Sequence, residues 1–426
     1  MNKEWPFVRL DEVCAINPES RGESWPHKII RYIDISSVGT GVMMAAPALL
    51  AKRDAPSRAQ RLVRPGDTIL STVRPNRRSF LFIPNPPAET VVSTGFAVLR
   101  ATPRIDPRFL YYTISDQSFA DFIESHAEGS AYPAVSPAAI GSAPIPLPPL
   151  PIQKRIAHIL GTLDDKIELN RRMNETLEAM ARAIFKSWFI DFDPVHAKAA
   201  GRDTGLPRHI ADLFSDSFAD SALGPIPRGW KSGSLGDVAE SPRRGVKPSD
   251  LPPATPYIGL EHMPRRSIAL DAWDRAEDVA SGKSRFEQGE ILFGKLRPYF
   301  HKVGIAPVDG VCSTDIVVVT PKAAHWHGYV ISLVSSEAFV SYTDSRSAGT
   351  KMPRTNWKDM GRYPLALPPG PLPNAFQYHV AALHKRIGVN VRQNRRLADL
   401  RNALLPKLLS GEFAIPKAEK AISEAT

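Results

Sequence analysis

Two stretches of this chain, 224 residues apart, carry the same apolar stripe, and that repeat narrows the folds open to it. From Pro151 to Phe192 apolar residues fall at Ile152, Ile156, Ile159, Leu163, Ile167, Met173, Leu177, Met180, Ile184 and Trp188. Steps of mostly three or four residues place them on one helix face. From Asn374 to Phe413 the stripe is Phe376, Val380, Leu383, Ile387, Val391, Leu397, Leu404 and Leu408. Under the shift Gln153 meets Gln377, Ile156 meets Val380, Ile167 meets Val391, and Asn170-Arg171-Arg172 meets Asn394-Arg395-Arg396. Pro151 suits a helix start, and Pro194 forces the preceding residue out of helical geometry. About 38 residues make a rod of roughly 57 Å. A rod that long with one greasy face needs a partner, and the second rod supplies it. Asn170 and Asn394 interrupt both stripes at equivalent places. Buried in a seam they would fix register; the alternative is that both face solvent.

The repeat extends outside the rods. Trp5, Val13 and Tyr32 answer to Trp230, Val238 and Tyr257, 225 residues on. Arg74-Pro75 answers to Arg297-Pro298 at 223, and Ser93-Thr94, Phe119, Gly129 and Pro133 answer to Ser313-Thr314, Phe339, Gly349 and Pro353 at 220. Small drifts in a preserved order are what loop insertions produce. Runs 29–38, 67–73, 79–84 and 90–100 predict strands, and 107–125 has helical spacing. The expected fold class is α+β: two mixed α/β globules in pseudo-two-fold arrangement, separated by two long antiparallel, coiled-coil-like helices. The expected division is a first globule at 1–149, a central long helix at 150–192, and a linker with one short helix at 193–227. A second globule at 228–370, a C-terminal long helix at 371–413 and a tail at 414–426 complete it.

Hydrophobic content of 43% supports real cores. Net charge of +10 favours a polyanionic partner. Cys14 and Cys312 suggest neither a disulfide framework nor a metal cage. The first residues lack an apolar signal-peptide core, and no run approaches 18 uninterrupted apolar residues, so the expectation is a cytoplasmic protein with no membrane span.

Four segments, LPPLPIQKRI (147–156), KSWFIDFDPV (186–195), ALGPIPRGW (222–230) and LRNALLPKLLSGE (400–412), resemble the specificity (S) subunit of type I restriction–modification systems. The start of the second rod, GPLPNAFQYHVAAL (370–383), departs from the family's pattern. The resemblance implies a non-catalytic subunit whose two globules each read half of a split double-stranded DNA site. It implies rods that set the gap and dock two methyltransferase subunits, with restriction/translocase subunits joining that core. No cofactor is expected on this chain; S-adenosylmethionine, ATP and Mg belong to the partners. Ile156, Ile167, Asn170, Leu177, Ile184, Trp188, Val380, Ile387, Val391, Asn394, Leu404 and Leu408 mark the docking helices. The rivals are a basic DNA-binding or protein scaffold outside any restriction system, and a self-contained adenine methyltransferase.

The candidate DNA contacts begin with Arg74, Asn76, Arg77 and Arg78, and with Lys295, Arg297, Tyr299 and His301 at the matching place. Arg and Asn form bidentate contacts to base edges, while Lys mainly holds phosphates. A second pair of segments supplies Ser130 and Tyr132, and Lys351 and Arg354. Arg243, Arg244, Lys247, Arg265 and Arg266 form a basic group suited to phosphate contact. Other motifs fall short. Asn85-Pro86-Pro87 lacks the following aromatic that adenine methylation needs, since Ala88 stands there. Gly282-Lys283-Ser284 lacks the earlier glycine of a phosphate loop. His325 and His327 lack companion ligands, and Asp164, Asp165, Asp191 and Asp193 read as solvated or interface charges.

Overall fold

A computed structural model describes residues 5–22, 24–129, 132–349, 351–413 and 415–425. Two compact units emerge: Met1–Lys166 with Leu397–Thr426, and Ile167–Arg396. The boundary runs through both long helices, so each unit contains a globule and part of each rod.

In the first unit, strand Asp67–Ser71 is buried along its whole length between Phe96–Ala101 and Phe80–Ile83, with Cys14–Ile16 beyond Phe96–Ala101. All three pairings are antiparallel, with Ile69 opposite both Val98 and Leu81. A second sheet runs Ala48–Ala51, Ile29–Ile33, Thr90–Ser93, Ala59–Leu62, with one parallel pairing in the middle. In the second unit Ile291–Gly294 is flanked by Ile316–Pro321 and Val303–Ile305, with Ala239–Glu240 at the edge. Its other sheet runs Gly245–Val246, Lys283–Phe286, Gly310–Cys312, Pro256–Ile258, Asp274–Arg275. The strand order matches the first unit at the offsets read from sequence, with Gly245–Val246 as an added edge strand, so the duplication is structural. Two runs divide more finely than the sequence suggested. Residues 90–100 hold two strands, and 107–125 holds two helices, Pro107–Ser115 and Gln117–Ser125. Asp116 causes that break: its N–H goes to the Thr113 carbonyl while its carboxylate caps Ser118 N.

The rods form as helices Leu150–Phe189 and Pro371–Leu409. Within the second unit Asn170 Nδ2 donates to Asn394 Oδ1 at 2.8 Å, and Asn390 Nδ2 donates to Asn174 Oδ1 at 2.8 Å. Numbers rise along one helix as they fall along the other, so the helices are antiparallel. All four asparagines are buried. The seam is one residue out of step with the predicted stripe beyond Ile167. Its buried positions are Asn170, Asn174, Glu178, Ala181, Phe185 and Trp188, whereas Leu177 and Ile184 are half-buried and Met180 is 48% exposed. Ile156, Ile167, Trp188, Val380, Ile387, Val391, Leu404 and Leu408 are all buried. These residues, which mark the two helices, belong to the interior, as stripes that pack together require.

The stretch read as an ordered linker with one short helix is packed and holds two helices. It forms helices Asp193–Ala199 and Arg208–Ala211 and a hairpin of Phe218–Ala219 with Ile226–Pro227. Val195, Ile210, Phe214 and Ile226 share a core with Trp188, Phe189, Trp230 and Phe376. The tail forms helix Ile415–Ala425, where Glu419 pairs with Arg155 at 2.9 Å and Ala418 is buried. At the start of each rod the matching glutamine accepts a backbone N–H from the start of a neighbouring helix, at points two residues apart in the repeat. Gln153 Oε1 accepts from Asp106 N at 2.8 Å, and Gln377 Oε1 accepts from Gly328 N at 2.6 Å.

Candidate nucleic-acid interface

The loops that leave Asp67–Ser71 and Ile291–Gly294 have one backbone shape with two sequences. Arg74 and Arg297 take φ of 51° and 52°, a 3-10 turn follows at Pro75–Arg77 and Pro298–Phe300, and Arg78 and His301 take φ of 49° and 53°. Left-handed geometry costs a non-glycine residue on the order of 1 kcal/mol, so surrounding contacts must hold it. Two of those contacts are Arg74 N to Pro133 O and Arg297 N to Pro353 O, both at 2.7 Å. Val135 N to Thr72 O, 2.9 Å, and Thr355 N to Lys295 O, 3.0 Å, continue the pairing. These bonds join the two pairs of segments that the sequence picked out separately. Gly129 and Gly349, with φ of 95° and 105°, let the second strand of each pair turn back; a Cβ at either would sit 3.2–3.3 Å from a backbone oxygen.

On the first unit Asn76 and Arg77 are exposed, and the Arg74 guanidinium lies 4.7 Å over the ring of Tyr132, which is 70% exposed. That stacked pair presents a cation and a flat aromatic face together. Ser130 lies outside the described residues. On the second unit Tyr299, Lys351 and Arg265 are exposed, Lys295 is half-buried, and Arg265 stacks over Phe300 at 4.2 Å. Arg297 Nη2 donates to Lys351 O at 3.2 Å, which ties the two loops together.

Several predicted contacts already have partners within the chain. Arg78 donates from Nη2 to Ser115 O at 2.6 Å and from Nη1 to Gln117 Oε1 at 2.5 Å. His301 is buried and Nε2 meets Ser335 O at 2.8 Å. Arg244 forks onto Glu290 at 2.8 and 2.9 Å. Burial works to raise the Glu290 carboxyl, but hydrogen bonds from Arg244 and Thr320 leave it lowered. Arg266 pairs with Glu337 at 2.7 Å and Arg354 with Asp315 at 2.9 Å, both at the surface. Arg243 and Lys247 are exposed, but they flank Arg244, which is anchored at the start of strand Ile291–Gly294, the end opposite the 295–301 loop. They are therefore not part of the same tip.

The remaining motifs have structural partners. Thr90 N donates to Pro87 O across the Asn85-Pro86-Pro87 turn. Lys283 lies in a strand and its ammonium binds the Ser281 carbonyl and hydroxyl. Asp164 accepts from Tyr112 and Arg401, Asp165 from Arg108, and Asp191 from Lys186. His327 Nε2 meets Gly289 O at 2.8 Å, and no group of three His, Cys, Asp or Glu suited to a metal exists among the described residues. Sequence reading missed Glu178. This buried carboxylate accepts from Ser267 Oγ at 2.7 Å, Ile268 N at 3.1 Å and Ala269 N at 3.3 Å. Burial raises its pKa despite those bonds.

No helix among the described residues is long and apolar enough to cross a membrane. Residues 2–179 match the family described as the type I restriction modification DNA specificity domain. The specificity subunit of type I restriction enzyme HindI from Haemophilus influenzae is 25% identical over 423 residues, covering 85% of this chain and 89% of that protein. The MjaIX specificity subunit from Methanocaldococcus jannaschii is 24% identical over 362 residues, covering 82% and 78%. The crystal structure of a type I restriction-modification S subunit from M. genitalium shares the fold at a TM-score of 0.50 and 14% identity, with 96% of both chains covered.

Proposed function

We propose that the chain is a specificity subunit of the type I restriction–modification kind, whose two globules read the halves of a split DNA site while partner subunits do the chemistry. The observation that carries this reading is the pair of clamped loops: two topologically equal units present the same backbone tip with different side chains. Asn76, Arg77 and the Arg74–Tyr132 stack mark the first tip, and Arg265, Tyr299 and Lys351 the second. One scaffold with two side-chain sets suits a target whose halves differ in sequence. Base edges in the major groove are distinguished by such donors, and lysines add phosphate attraction.

The buried asparagine pairs fix the register of the helices, and with it the separation of the half-sites. Outer helix faces dock two methyltransferase subunits, which bring S-adenosylmethionine; restriction/translocase subunits bring ATP and Mg. A DNA target places the work in the cytoplasm. The test is co-expression of this chain with its methyltransferase subunit in a host free of adenine methylation, followed by single-molecule sequencing. A bipartite methylated motif that vanishes when this chain is left out is the expected result. The same motif without it would overturn the proposal, and loss of binding with rising salt would track the phosphates neutralised.

A further inference from the structure

Each loop tip is held at its far end by a side chain, and the two units use different residues for that job. Arg78 reaches Ser115 O, and His301 reaches Ser335 O. The two carbonyls are 220 residues apart, the offset of this section of the repeat, so the acceptor is the same point in both folds. Ser115 is the last residue of helix Pro107–Ser115, and Ser335 is the C-cap of helix His327–Val334. Carbonyls there lack an intrahelical partner and carry the negative end of the helix dipole, so an N–H donor suits them. The donors sit in equivalent left-handed positions, φ 49° and 53°. Arg78 adds a second anchor on Gln117; His301 has Glu337 Oε2 3.5 Å from its other nitrogen. With the backbone bond to Pro133 or Pro353 at the near end, the exposed residues between are clamped from both sides.

We propose that Arg78 and His301 are equivalent positioning residues, latches that fix each tip to a helix end and thereby set how strictly its half-site is read. This deepens the function proposed above and rests on it. The latches do not touch DNA; they hold the residues that do. Because the acceptor is a common backbone carbonyl, one latch should replace the other.

The test uses the full chain with its methyltransferase subunit and reads methylation of sites bearing one wrong base. His301→Asn removes the latch but keeps a residue tolerant of left-handed geometry. It should raise methylation of second-globule mismatches about tenfold, within the range a single base contact commands. First-globule mismatches should stay unchanged, and a single cooperative thermal unfolding transition should remain, at a somewhat lower midpoint. Arg78→Asn should do the reverse. His301→Arg, which copies the first latch, should restore discrimination at the second half. Unchanged discrimination in His301→Asn, equal relaxation at both halves, or failure of His301→Arg to restore it would overturn the latch. Absence of any bipartite motif with the unsubstituted chain would instead overturn the function on which the latch rests.

Discussion

Asn170 donates to Asn394 at 2.8 Å, and these residues are separated by 224 positions, the repeat's own offset. A residue paired with its own copy is what a local two-fold produces where antiparallel helices cross. Asn174 and Asn390 form a second pair one turn away. A one-turn slip of either helix would keep only one asparagine–asparagine pair and set the other two against Arg386 and Lys166, or against Ala398 and Glu178, so buried polar groups would lose matched partners. Asn170→Ala should therefore cost about 1–3 kcal/mol in urea unfolding. Replacing Asn170 and Asn394 together by leucine should recover much of that stability and loosen register. Methylation mapping should then show a mixture of spacer lengths in place of one; a single unchanged spacer would refute the register role.

Asp164 closes a three-membered network in the first unit, accepting from Tyr112 Oη at 2.7 Å and Arg401 at 2.6 Å. Burial raises the Tyr112 hydroxyl's pKa, with the Asp164 charge adding to it, so the phenol remains a donor. Asp164→Ala strands a half-buried guanidinium and a buried hydroxyl. A loss of about 3 kcal/mol is expected from denaturant unfolding, with Tyr112→Phe alone costing about 1 kcal/mol.

The rods and the duplication were legible because helical periodicity and a constant offset survive low identity. The seam beyond Ile167 was not, because hydrophobicity was the wrong guide: buried Asn170, Asn174 and Glu178 are polar, while Met180 points outward. Only the opposing Asn390, Asn394 and the Ser267–Ala269 backbone explain that choice, and they are distant in sequence. The loop tips were found from arginine, asparagine and tyrosine content. Which of their residues already have partners was not legible, since Ser115 O, Glu337 and Asp315 supply them from elsewhere in the chain.

His384 sits half-buried on the second rod with a solvent-inaccessible Nδ1 that has no hydrogen-bond partner. Burial, then the charge of nearby His327, lowers its pKa from 6.5 to about 4. The unfolded chain therefore binds this proton more readily, and stability is lost as pH falls from 6.5 towards 4. The contribution reaches about 3 kcal/mol at the acid end. His384→Leu should reduce the slope of unfolding free energy against pH in this window by up to one proton, about 1.4 kcal/mol per pH unit. An unchanged slope would show that His384 titrates as in the unfolded chain. His327, also lowered by burial, contributes slope of the same sign.

Asn76 and Arg77 stand exposed at the first tip and Tyr299, 49% exposed, at the second, whereas Arg74 is stacked on Tyr132 and Arg297 is tied to Lys351 O. The sharpest effects on sequence reading should therefore come from the middle of each turn. Arg77→Ala should relax the first half-site alone, by about 1–3 kcal/mol where the guanidinium forks onto a base edge. Tyr299→Ala should relax the second half-site alone. Lys351→Ala should weaken binding to all sequences alike and lower the salt slope by about one phosphate, because an ammonium holds charge without reading it. Competition binding of the assembled methyltransferase to half-site variants separates the cases. Losses shared equally by both half-sites in Arg77→Ala would remove this turn from base recognition.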